Sequence, residues 1–210
     1  MGQQVDLPGG TPGAGPGAGP RPGAARCAAG LLATLLALAP AASLAGPPSD
    51  DHSVEYGVKA VFLERFARFV EWPAETVDEP AATFRIVVLG EDPFGGLLEK
   101  AYATRTIRGR RVEIRHTARV ADITGCNLLF ISSSMSRSLD EVLASVRRLP
   151  VLTVGDTRGY GEAGVHLNFY LEGDKVRFEL NPGALHHASL TASYLLLQVA
   201  RTVETRGGER

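Results

Sequence analysis

From Arg85 onward the chain alternates short β-branched runs with helix-patterned stretches, and that order narrows the possible folds more than any other feature. Arg85-Ile86-Val87-Val88-Leu89-Gly90 reads as a buried strand. A turn from Glu91 to Gly96 leads into a helix from about Leu97 to Ala103, with Asp92 as cap and Pro93 at its first position. Arg111 to Arg115 alternates as a half-exposed strand, and Asn127 to Ser132 is a third, buried one. Ser136 or Ser138 can cap the next helix, in which Leu139, Val142, Leu143 and Val146 share a face. Pro150 to Val154 is a fourth strand, ending at Gly155-Asp156. Parallel neighbours need a crossover and helices supply it, so the first strands are expected to be parallel. Val165 to Leu171 and Lys175 to Leu180 flank Glu172-Gly173-Asp174 and read as an antiparallel hairpin. Ala184 to Val203 is expected to close the domain as one long helix, with Leu190, Tyr194, Leu197 and Ala200 roughly on one face. The expected class is α/β: a single three-layer sandwich in which helices flank a mixed sheet with parallel first strands and a C-terminal antiparallel hairpin.

Before the strands lies Glu55 to Pro73, EYGVKAVFLERFARFVEWP. At about 100° per residue Val58, Val61, Phe62, Phe66, Phe69 and Trp72 fall on one side, which predicts a core-packing helix. Ser53 is the expected N-cap, and Trp72-Pro73 the stop, because proline lacks the N–H that continuation needs. Arg65 falls beside Val58, Phe69 and Trp72. Either its stem lies along the apolar face with its head in water, or it sits at the rim of a ligand or partner site.

Residues 1–25 are mainly Gly, Pro and Ala, with too few side chains to bury against the entropy of ordering. They read as disordered, or as coding sequence before the true start. Arg21 and Arg26, the apolar run from Cys27 to Leu38, and the small residues ending Ser43-Leu44-Ala45 have the order of a cleavable signal peptide, assigned to residues 26–45. The run is short for a bilayer span of about 20 residues, so a retained anchor is the second reading. Residues 46–52 read as a linker, 53–204 as the folded domain and 205–210 as a polar tail. Of 22 basic and 23 acidic residues, two and one precede Gly46, which leaves 20 against 22. That balance does not favour nucleic acid as a partner. Only Cys126 remains beyond the signal, so no internal disulfide is expected.

The candidate chemistry is sparse. His186 and His187 follow Asn181-Pro182 near a strand end, but adjacent helical positions point about 100° apart and do not converge on one metal. Asp92 and Asp156 are explained by capping and by a turn. Ser132-Ser133-Ser134 stands where a receiver domain would hold its phosphoacceptor acid, and Gly90 to Gly96 lacks the spacing and lysine of a phosphate loop. Glu179 and Asn181 share a strand face, either in a small pocket or satisfying backbone at the sheet end. A ligand site would draw on Arg65, Glu179, His186 and His187. For partner binding, the loop from Asp156 to Gly164 presents Tyr160 between glycines, beside Phe169, Tyr170 and Glu172 on the hairpin. If Tyr160 folds back as a lid over the sheet, it is not an anchor. No nucleophile has a credible base and no metal-spaced cluster occurs, so neither catalysis nor a cofactor is expected, and a hydrolase is the least favoured reading.

Taken in order, Tyr56 to Pro73, Val88 to Gly95, Cys126 with Leu129 to Ser132, Val151 to Val154, Leu167 to Phe169 with Val176 to Pro182, and the terminal segment with Ser193, Leu195, Leu196 and Ala200 resemble the YfiR family of periplasmic proteins. The resemblance implies an exported, non-enzymatic α/β domain. It implies binding to the periplasmic region of an inner-membrane diguanylate cyclase that is thereby held inactive, which tunes cyclic-di-GMP and biofilm signalling. An outer-membrane lipoprotein as a second partner and a homodimer are also open. Disulfides support some members, whereas Cys126 has no partner here. Relatives often read Tyr-Asn where this chain has Glu64-Arg65. The alternative in another class is an exported small-ligand sensor.

Overall fold

The structure is a computed structural model that describes residues 50–73 and 83–207. The stretches assigned to a disordered start, the signal peptide and most of the linker lie outside the described residues. The first helix, α1, spans Asp50–Phe69, so Ser53 falls inside its first turn instead of capping it. It runs into a two-residue strand, β1 (Val70–Glu71). Then follow β2 (Phe84–Leu89), α2 (Leu97–Tyr102), β3 (Thr106–Ile107), β4 (Arg110–Thr117), β5 (Leu128–Ile131), α3 (Leu139–Val146), β6 (Leu152–Gly155), α4 (Tyr160–Ala163), β7 (Leu167–Glu172) and β8 (Lys175–Leu180). The C-terminal region holds α5 (Pro182–His187), β9 (Thr191–Ala192), α6 (Tyr194–Val199) and β10 (Arg201–Thr202).

Eight strands form one sheet in the order β10-β8-β7-β6-β5-β2-β4-β3. The run β4-β2-β5-β6-β7 is parallel throughout, while β3 joins β4 and β8 joins β7 in antiparallel pairs. This is the mixed α/β sheet that the sequence predicts, with helices on both faces. On one face α1, α2 and α5 cover Ile86, Val88, Phe130, Val154 and Phe169. On the other α3 and Tyr160 cover Val87, Leu89, Leu129 and Ile131. Near-continuous apolar strands are what burial on both faces requires.

Three local expectations change. Asp92 does not cap a helix: its Oδ1 accepts the Phe94 N–H at 2.9 Å, closing an Asx turn, and α2 begins only after Gly96, whose φ of 83° favours glycine. Tyr160 lies in a short helix and not in an open loop. The long terminal helix is broken. Ser189 adopts φ 57°, and Leu190 N–H turns back to Leu185 C=O at 2.9 Å. Thr191 and Ala192 then pair with Glu71 and Val70. Ser193 caps α6 by accepting Leu196 N–H. Apolar spacing alone cannot register that these backbone groups have a strand partner far back in the chain.

In this strand order the chain reverses direction between β2 and β5, where such folds commonly bind ligands. Here that crevice is filled. Glu91 N–H donates to Ser134 Oγ at 2.9 Å, and a Cβ on Gly90 would lie 2.3 Å from the same oxygen.

Candidate functional site

Helix α1 carries two apolar faces. Ala60, Leu63, Phe66 and Ala67 are buried against the sheet, and the small alanines let the helix approach it closely. The stripe expected to pack the core points largely outward instead: Val58, Val61 and Phe69 are exposed, with only Phe66, Trp72 and half-buried Phe62 of that set turned inward. Val54, Val58, Val61, Phe62 and Arg65 line an open apolar groove along the helix, and the Arg65 guanidinium lies 5.7 Å from the Phe62 ring centre. Helix α6 starts beside the end of α1, where Ser193 N–H donates to Phe69 C=O at 2.8 Å. It leaves Tyr194 72% exposed, Leu195 61% and Val199 66%. Single exposed apolar residues need no account, but here two neighbouring helices each leave several apolar side chains open to solvent.

Lys59 is what turns α1 this way round. Its side chain is 4% exposed, and its ammonium lies 2.9 Å from Asp156 Oδ2 and 2.6 Å from Glu55 Oε1. Asp156 directly follows β6 and also accepts the Tyr56 hydroxyl at 2.5 Å. Burial and that carboxylate push the Tyr56 hydroxyl far above its ordinary range. A charge so buried persists only when paired.

On the opposite face of the sheet, Asn168 Nδ2 donates to Glu179 Oε2 at 3.1 Å and to Thr157 C=O at 3.0 Å, and Arg201 from β10 closes on Glu179. Arg201 also lies 4.1 Å over the Tyr170 ring. Below this belt Thr153 and His166 exchange bonds across β6 and β7: Thr153 N–H donates to His166 Nδ1 and His166 N–H to Thr153 Oγ1, both at 3.0 Å. Burial lowers the His166 pKa to about 4, so its imidazole is neutral. His166, Thr153, Arg147 and His187 line a cavity of about 490 Å³ between α3 and residues 205–207.

The residues singled out from sequence do not come together. Tyr160 is 3% exposed, its hydroxyl donates to Ser132 C=O at 3.1 Å, and its ring lies over Gly155. It is a lid on the sheet, not a free aromatic. Phe169 is buried beneath α1, 5.3 Å from the Phe66 ring centre, while Tyr170 lies on the other face, because strand neighbours alternate. Glu172 is exposed and pairs with Arg177 at 3.2 Å. Arg65 and Glu179 lie on opposite sides of the sheet, so no pocket holds both. His186 and His187 are exposed with ring centres 6.4 Å apart, and of the four ligand candidates only His187 lines the cavity. Glu179 is a buried ion-pair member, and Asn181 caps α5 by accepting Ala184 N–H at 2.9 Å. Cys126 is buried and free, with its thiol pushed up to about 11. Among the described residues no group of His, Cys, Asp or Glu is arranged to hold a metal, and no helix is long and apolar enough to cross a membrane.

Sequence reasoning missed Lys59, His166 and Arg201. The Glu55-to-Lys59 spacing of i,i+4 was a readable signal for the first, and a lone His between Val165 and Leu167 for the second. Arg201 carried none, since its partner comes from another strand.

Fold and surface together define a doubly wound α/β domain with an open apolar face. The chain belongs to the YfiR/HmsC-like family, whose model matches residues 56–201. Among curated proteins nothing matches. A conserved domain protein from Vibrio cholerae O1 biovar El Tor strain N16961 is similar in structure, with TM-score 0.50 and 9% identity over 70% of this chain and 59% of that one. This chain therefore spans about three fifths of that protein, and the likeness is one of fold. An ABC domain from Streptococcus pneumonia in complex with L-Trp gives TM-score 0.44 and 11% identity over 67% of this chain and 61% of that one, a likeness too low to carry an argument.

Proposed function

We propose that this chain is a periplasmic regulatory binding protein that holds an inner-membrane diguanylate cyclase inactive by docking on its periplasmic region, and so tunes cyclic-di-GMP and biofilm signalling. Membership of the YfiR/HmsC-like family supports the regulatory reading, and the open face of α1 and α6 is the observation that carries the binding mode. That face offers aliphatic side chains with Tyr194 as an aromatic anchor and Arg65 at the edge, a composition suited to the centre of a protein interface. Tyr160, Phe169, Tyr170 and Glu172 play no part as a group. In a host that carries this gene, deletion should raise cyclic-di-GMP. Val58→Asp combined with Val199→Asp should imitate deletion while the protein is still exported and folded. Unchanged cyclic-di-GMP in the deletion strain would sink the proposal.

A second reading is an exported small-ligand sensor, favoured by the cavity between α3 and residues 205–207, where Arg147 and His187 stand above neutral His166. Calorimetry with a panel of nucleotides and amino acids tests it. Absence of heat from every compound would remove this reading and leave the first intact.

A further inference from the structure

Among the described residues the sheet is not closed on the side away from β10. β4 pairs with β2 along Val112–Thr117, but its outer edge meets only the two residues of β3, opposite Arg110 and Arg111. In a parallel ladder alternate residues turn both backbone groups toward the same neighbour. Thr117 C=O accepts Gly90 N–H at 2.8 Å on the β2 side, so Val112, Ile114 and His116 direct theirs outward; the β3 register engages Val112, which leaves Ile114 and His116 beyond it. No strand among the described residues pairs with them there. Along this edge runs a groove of about 350 Å³, floored by Val112 and Ile114, walled by Tyr102, and bordered by Arg105 and Arg111.

The segment around this edge is rich in arginine, of which Arg110 is buried, Arg108 turns to Val70 C=O and Arg119 pairs with Asp122 at 3.8 Å, so Arg105 and Arg111 are the ones that border the groove. Between Arg105 and Arg119 the chain has six arginines against one glutamate, in a protein that is otherwise slightly acidic. Glu113 is matched by Arg85 at 3.1 Å. Glu99, the carboxylate at the groove, is held by His116 at 2.7 Å. Arg105 shares Glu64 with Arg68 at 3.7 and 3.9 Å, and Arg111 has no carboxylate partner among the described residues.

We propose that the outer edge of β4 is a docking site for an extended, acidic segment of a partner protein, which adds to the sheet as a further strand. Backbone bonds to Ile114 and His116 would supply affinity. Apolar side chains would enter the groove, and carboxylates would meet Arg105 and Arg111. Cationic side chains also protect an open edge from self-pairing, because two copies of this edge repel each other, and this argues for an acidic partner over a second copy. The site lies at the opposite end of the sheet from β10, and it does not rest on the proposed cyclase docking.

The probe is a fluorescent heptapeptide of alternating glutamate and valine, titrated into the full chain at low salt, with the lysine–valine peptide as control. The glutamate peptide should bind saturably and protect the Ile114 and His116 amides from exchange, and the control should not bind. Arg111→Glu should weaken binding about tenfold or more. Ile114→Pro should abolish it with the fold retained, since the Ile114 N–H serves no strand and proline is tolerated at such an edge. If Ile114→Pro fails to fold, the Arg111→Glu titration and the exchange pattern decide. Absence of saturable binding, or binding without amide protection, would overturn the proposal. So would edge-to-edge dimers in sedimentation that Arg111→Glu abolishes, because they would assign the edge to a second copy. Val58→Asp should bind the peptide normally, which separates this site from the α1 and α6 face.

Discussion

Lys59 Nζ lies 2.9 Å from Asp156 Oδ2 with both side chains almost wholly buried, 97 residues apart in sequence. This pair fixes which side of α1 faces the sheet, and thereby which side is left for a partner. Removing one member strands the other charge in the interior. Lys59→Met should lower unfolding stability by about 3–5 kcal/mol in urea titrations, and Asp156→Asn added to it should recover a substantial part. A single-mutant loss below about 1 kcal/mol would show that the pair contributes little to the fold.

Tyr160 gives a second test, because its ring covers Gly155 and its hydroxyl serves Ser132. Tyr160→Phe should cost about 1 kcal/mol and Tyr160→Ala about 3–5 kcal/mol in the same titrations. Gly155→Ala places a Cβ 2.6 Å from Tyr160 Cδ2 and should cost about 1–3 kcal/mol. A fully stable Tyr160→Ala would return this residue to the surface.

His166 makes stability depend on pH. Its folded pKa, about 4, lies below the unfolded value near 6.5, so the unfolded chain takes up the proton first. The contribution is whole above about pH 6.5, declines as pH falls through that window, and is gone below about 4, a loss of about 3 kcal/mol. His166→Gln should flatten this part of the stability profile without touching the carboxylate titrations at lower pH. An identical profile in the variant would refute the assignment.

Cys126 should be nearly inert toward thiol reagents at pH 8, since burial pushes its pKa to about 11. Native labelling should run about 100-fold or more slower than labelling in denaturant. Comparable rates would mean the thiol is accessible.

On the exposed face, Val54→Glu and Val199→Glu should each change stability by no more than about 0.5 kcal/mol, because neither side chain packs the core. Loss of cyclase repression with unchanged melting would attribute the effect to docking. A large drop in melting temperature would show that these side chains are part of the core after all.

Much of the architecture was legible because it is written locally. β5 is apolar at every position, and β2 and β6 depart from that only at Arg85 and Thr153, a pattern that burial on both faces accommodates. The Glu172-Gly173-Asp174 turn between alternating runs specifies its hairpin, with Gly173 at φ 58°. The terminal segment was misread because its apolar spacing suits a helix, while the competing demand came from Val70 and Glu71, more than a hundred residues earlier. Helix α1 was misread for a related reason. Lys59 looks like a polar-face residue until the carboxylate that follows β6 is brought to it, and once it is buried the valine stripe turns to solvent.

The candidate sites were less legible still. Phe169 and Tyr170 look like one aromatic surface in sequence, yet a strand places them on opposite faces of the sheet. Glu179 reads as a free acid until Arg201 closes on it from β10. The sequence by itself determined the strand–helix order, the parallel sheet with its terminal hairpin, and the family, because periodicity and turn chemistry act between near neighbours. Only the tertiary structure decided which face of α1 is core, that Tyr160 is a lid, and that β4 has no further strand beyond β3 among the described residues. Those outcomes depend on pairing buried charges and backbone groups across distant parts of the chain, and no local pattern encodes the partner.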